Sequence, residues 1–140
     1  MALWFRLILF LASWKCIRGA LDSSERPLCN QTIVGLRPLR EMAQDGNTGL
    51  IEYVLCVTIP EGKIEVLNYF IQEIKYANVI ISGNGSVVKC VAPPEQQTQY
   101  PLFFTNSSLI VLEGIHFIGC TQPLRFKWVT RIEIVQSTFT

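Results

Sequence analysis

Apolar and polar residues alternate near the C-terminal end of the chain, and the alternation occurs there twice. The stretch Pro101 to Phe117 is followed by a second copy, Pro123 to Phe139, with equivalent positions 22 residues apart (Pro101 and Pro123). Leu102 matches Leu124, Phe104 matches Phe126, Ile110 matches Ile132, Leu112 matches Ile134, and Phe117 matches Phe139. The matches fall on alternate residues of short blocks, which is the period of a strand with one buried face. A looser copy lies upstream in Ile74 to Gly83, with one residue fewer in its turn. In that copy Ala77-Asn78 stands for Ser107-Ser108, Val79 and Ile81 for Ile110 and Leu112, and Gly83 for Gly114. Each copy predicts a short strand, an Asn/Ser turn, a second strand, a glycine kink and a third strand.

A period-2 pattern repeated at about 22 residues predicts solenoid coils stacked about 4.8 Å apart, with equivalent side chains above one another. Leucine-rich repeats have a similar length, but their L-x-x-L-x-L-x-x-N spacing is absent. Upstream of the copies, Val34–Gln44 predicts a short amphipathic helix, with Leu36, Leu39, Met42 and Ala43 on one face. Asp45 to Gly49 reads as a turn and Leu50 to Ile59 as a β-rich run.

The first twenty residues differ from the rest. Arg6 precedes the apolar block Leu7 to Trp14, and Lys15 to Ala20 turns polar and ends in small residues. This is the layout of a secretory signal, with cleavage expected after Gly19 or Ala20. The block is too short to span a bilayer, and no apolar run elsewhere is longer. The full chain has 140 residues and a net charge of +1. Without residues 1–20 it would carry 9 basic and 11 acidic side chains, which is no footprint for nucleic acid. Hydrophobic residues make up 49% and charged residues 16%, so the chain is expected to fold, as one domain.

Secretion changes the reading of the cysteines. Cys29, Cys56, Cys90 and Cys120 remain, an even number that favours disulfides over free thiols. There is no Cys-x-x-Cys pair or His/Cys cluster, so no metal and no cofactor is expected. Three triplets, at Asn30, Asn84 and Asn106, fit acceptors for N-glycosylation.

Three segments, in this order, carry a resemblance. Ile59 to Ile64 is similar to an "I-P-x-G-x-Y" opening turn, with Ile64 where an aromatic is usual. Asn78 to Gly85 is similar to an "N-V-x-I-x-G-x-G" element, and Asn106 to Phe117 to an "N-S-x-x-V-x-I-x-G-I-x-F" coil. From Ile33 to Thr140 the chain resembles the right-handed parallel β-helix, or pectin-lyase-like, superfamily. Its nearest flavour is that of large secreted animal proteins built of many such coils, similar in pattern to polymorphic outer-membrane-type adhesins. The resemblance implies an all-β, right-handed parallel β-helix with a cap segment at 21–50 and coils at 51–140. It also implies that Cys90 and Cys120 lie in adjacent coils and pair, leaving Cys29 for Cys56; four cysteines allow three connectivities. Thr140 follows the third strand of a coil with no polar cap after it, so the chain is expected to be the N-terminal piece of a longer protein or the product of a truncated gene model. An immunoglobulin-like sandwich is the rival fold, weakened because no Trp lies between Cys56 and Cys120.

Many β-helix proteins of this superfamily cleave acidic polysaccharides. Lyases of that kind need clustered carboxylates for Ca²⁺ and a base, and hydrolases need paired carboxylates. The only Asp residues, Asp22 and Asp45, precede the copies. Glu133 is expected to stack over Val111 and not over Glu113, and His116 to point outward alone. No catalytic residue is therefore assigned. Arg125, Lys127 and Arg131 fall on outward positions of the last coil with Trp128 among them, and Phe103 is also outward. The expected function is a secreted or cell-surface glycoprotein, a non-catalytic scaffold or adhesion module. Its ligand surface would be Arg125, Lys127, Trp128 and Arg131, offered to a glycan or an extracellular protein. The alternative is an N-terminal fragment of a polysaccharide lyase or glycoside hydrolase.

Overall fold

The computed structural model describes residues 26–44, 53–68, 71–91 and 101–140. The expected signal at residues 1–20, Asp22, Asp45 and the 45–49 turn lie outside them. The elements are β1 (Gln31–Val34), α1 (Arg37–Gln44), β2 (Val54–Ile59), β3 (Ile64–Leu67), β4 (Asn78–Cys90), β5 (Leu102–Ile118), β6 (Leu124–Val135) and β7 (Thr138–Phe139). Strands run side by side in the order β1-β2-β4-β5-β6, with β3 on β4 and β7 on β5. Every pairing among these strands is parallel. The result is an all-β parallel solenoid of about 4 turns with one short helix. A sandwich is excluded, because its sheets are antiparallel.

The predicted stacks are observed. Leu102 pairs with Leu124, Phe104 with Phe126, Ile110 with Ile132 and Leu112 with Ile134, and Phe117 pairs with Phe139. The ring pairs Phe104–Phe126 and Phe117–Phe139 lie stacked at 5.7 and 5.1 Å. Two inward columns run through the coils. One joins Leu55, Val79, Ile110 and Ile132, and the other joins Ile33, Val57, Ile81, Leu112 and Ile134. In the middle rungs these side chains are fully buried, and the last members, Ile132 and Ile134, are 41% and 43% exposed.

Three local differences from the sequence pattern have physical causes. The helix starts at Arg37 and not at Val34, because Val34 is the last residue of β1 and Gly35 turns the chain with φ +81°. Glu65 on β3 then accepts a hydrogen bond from the Leu36 amide at 2.9 Å, and its carboxylate suits the positive end of the helix. Leu36, Leu39 and Ala43 are buried and Met42 packs against them, so the predicted face does cover the core. In the looser copy Asn78 stands level with Leu109, one place later than the alignment gave, since the missing residue falls earlier in the turn.

The outer face of the first long sheet face is also apolar. Val54, Cys56, Ile80, Leu109 and Val111 form a second buried cluster. The segment before β1 runs over this face. Cys29 is bonded to Cys56 on β2, and Arg26 pairs with Glu113 on β5. From β2 to β5 is two strand spacings, about 10 Å, which is the reach of three extended residues. Residues 26–29 therefore form a strap tied to β2 at Cys56 and to β5 at Glu113.

Candidate functional site

The corner that follows β2 and recurs along the coils is built from small residues. After β2, Pro60 to Lys63 makes a turn closed by the Lys63 amide on the Pro60 carbonyl at 3.0 Å, with Gly62 at φ +75°. In β4 the register shifts between Ser82 and Ser86, so that Gly83, Asn84 and Gly85 face Gly114 alone on β5. A Cβ on Gly114 would sit 2.0 Å from the Gly83 carbonyl oxygen. Ser86 anchors the bulge from below, its hydroxyl buried and donating to the Pro60 and Ile59 carbonyls at 2.8 and 3.1 Å.

This bulge opens a groove of about 590 Å³. Thr58, Glu61, Ser82, Asn84, Glu113, His116 and Gln136 line it. His116 Nδ1 lies 2.8 Å from the Thr138 hydroxyl, and Glu113 pairs with Arg26. Sequence reasoning placed His116 outward on its own and did not foresee the groove. The usable signal was the shared glycine column, Gly83 beside Gly114. Among the described residues no three His, Cys, Asp or Glu side chains gather as a metal site.

The second candidate surface is on the last rung. Arg125, Lys127, Trp128 and Arg131 are all exposed, Trp128 to 69%. The Arg125 guanidinium lies 4.9 Å from the centre of the Phe103 ring one rung below. The Lys127 ammonium lies 4.3 Å from the Trp128 ring centre. Both are cation–π distances. Arg131 Nε is 2.9 Å from Glu133, whose side chain is only 7% exposed. Glu133 stacks over Val111, as the 22-residue offset requires. Glu113 and Glu133 thus form no carboxylate ladder.

Asn30, Asn84 and Asn106 are exposed. Asn30 exchanges hydrogen bonds with Val54: its amide donates to the Val54 carbonyl and its Oδ1 accepts from the Val54 amide, each at 2.9 Å. Asn106 occupies a left-handed corner with φ 54°, and Trp128 occupies the equivalent corner one rung on with φ 57°. The disulfides are Cys29–Cys56 and Cys90–Cys120, with Cα atoms 5.8 and 5.0 Å apart. This is the connectivity the β-helix resemblance implied. Tyr76, buried beside Tyr53, has its phenol pushed above the ordinary tyrosine range, first by desolvation and then by Tyr53. It is a core residue and lines neither surface.

Comparison with protein-family models, with curated proteins and with solved structures gives no significant match. Among the described residues no helix is long and apolar enough to cross a membrane.

Proposed function

We propose that this chain is a secreted or cell-surface glycoprotein whose solenoid is a non-catalytic scaffold that presents the last rung to an acidic glycan. We place it with the pectin-lyase-like β-helices of adhesin type on the three motif segments that carry that resemblance. The observation that carries the ligand reading is the exposed cationic rim of Arg125, Lys127 and Arg131. Two disulfides are compatible with an oxidising compartment.

The mechanism is display. Parallel coils fix the outward side chains at strand spacing, about 4.8 Å from rung to rung. The Arg125 guanidinium lies over Phe103, and the Lys127 ammonium over Trp128. Both cations are thereby pre-oriented, which lowers the entropy lost when a sulfate or carboxylate binds. Binding of this kind weakens with added salt.

The test is retention of the glycosylated protein on a heparin column, with and without Arg125→Gln/Lys127→Gln. Loss of both cations is expected to lower affinity by about tenfold, or about 1.4 kcal/mol. Unchanged retention would remove this surface from the reading. Arg131 is left intact because its loss would take a partner from buried Glu133. The second reading, a polysaccharide-cleaving fragment, is favoured by Glu61, Glu113 and His116 lining one groove. New reducing ends or unsaturated products from an acidic polysaccharide would decide for it.

A further inference from the structure

Trp128 is the most exposed large aromatic of the last rung, at 69%, and its backbone is left-handed. A bulky residue in that conformation is uncommon and is disfavoured by roughly 1–2 kcal/mol. Asn is one of the few side chains that adopt it readily. Asn106 does so at the same corner of the rung below. The strand register fixes the relation: Thr105 pairs with Lys127 and Ser107 with Val129, so Asn106 and Trp128 stand between the same two pairs. They are one rung apart, about 4.8 Å. Matching φ values of 54° and 57° send both side chains off the corner in the same sense. Asn106 also opens an acceptor triplet whose Ser108 is exposed.

We propose that Asn106 carries an N-glycan whose first N-acetylglucosamine packs on the indole of Trp128. The proposal rests on the reading of the chain as a secreted glycoprotein. The sugar arrives by transfer from a lipid-linked oligosaccharide pyrophosphate. Asn106 Nδ2 forms the bond to C1 of the sugar and loses one proton, and the lipid pyrophosphate leaves. The apolar C–H face of the sugar ring then meets a π face, the contact that suits an indole wet at one edge and apolar over its body. The Lys127 ammonium covers one face of the indole, which leaves the other face for the sugar. Trp128 is thus a platform for the protein's own glycan. Arg125, Lys127 and Arg131 remain as the surface for an external ligand.

The chain supplies its own reporter. Its three tryptophans are Trp4, Trp14 and Trp128, so removal of residues 1–20 leaves Trp128 as the sole indole. The full chain is secreted from cultured animal cells as wild type, as Ser108→Ala, which keeps Asn106 but destroys its triplet, and as Thr32→Ala, which destroys the Asn30 triplet. Glycopeptide mass spectrometry gives occupancy, and acrylamide quenching gives access to the indole. Wild type and Thr32→Ala should show Asn106 occupied and an indole quenched about twofold less than in Ser108→Ala. Trp128→Phe should retain the melting temperature of the glycosylated protein, and Trp128→Ala should lower it only where the Asn106 glycan is present. Asn106 occupied with equal quenching in all three proteins would overturn the packing. Asn106 bare beside an occupied Asn30 or Asn84 would overturn it while leaving the glycoprotein reading in place. All three sites bare would overturn both.

Discussion

Single residues set the corners of this solenoid. Gly114 is held at φ +69° with the Gly83 carbonyl in the space a Cβ would fill. Gly114→Ala should therefore cost on the order of 3 kcal/mol or more, from left-handed strain and backbone displacement together. Thermal unfolding of the secreted protein checks this, and Gly62→Ala is the control. Gly62 is also left-handed but has nothing within 4 Å of its added Cβ, so it should lose only the strain component. Equal losses in the two variants would remove the packing argument at Gly114. Part of this corner was legible in sequence, because Gly83 and Gly114 align in the copies. The bulge of Gly83-Asn84-Gly85 was not legible. Two extra residues in one coil leave no periodic trace, and so the groove and the place of His116 in it were missed. Glu133 is a similar case. The 22-residue offset placed it over Val111, and so it is, but its burial comes from neighbours that periodicity does not report.

At the level of elements, the strands of the last two coils were readable because each apolar position recurs 22 residues later. The strap and β1 were not. Residues 26–29 have no repeat, and their place depends on one disulfide and one ion pair, Cys29–Cys56 and Arg26–Glu113. The helix face was legible from Leu36, Leu39 and Ala43, but not its start, which Gly35 and the carboxylate of Glu65 decide from outside the helix. The strap is tied at both ends to the face that carries the apolar stripe of Ile80 and Val111. Cys29→Ser/Cys56→Ser should lower stability by about 3 kcal/mol, as expected for a loop of this size, and should also release the strap. Cys90–Cys120 closes a loop of similar separation, 30 against 27 residues, and Cys90→Ser/Cys120→Ser opens it without touching the strap. Binding of a hydrophobic dye to the folded protein should rise in the first variant and not in the second. A rise in both, or in neither, would mean that the strap does not cover Ile80 and Val111.

Across the whole molecule, stability comes from equivalent side chains of successive coils lying on one another. The core is graded along the stack. Ile110, Leu112 and Phe117 are buried, and their partners one coil on, Ile132, Ile134 and Phe139, are 41%, 43% and 45% exposed. The same regularity positions the cationic rim and sets Trp128 above Asn106, so both functional readings depend on the parallel register. That register is best tested by solution NMR of the secreted chain, through contacts between backbone protons of β5 and β6. Cross-strand contacts should join residues near Ile110 to residues near Ile132, and those near Leu102 to those near Leu124, always 22 apart and in the same order. Contacts whose sequence positions run in opposite directions would indicate a hairpin, and the stacked-coil structure would then be wrong.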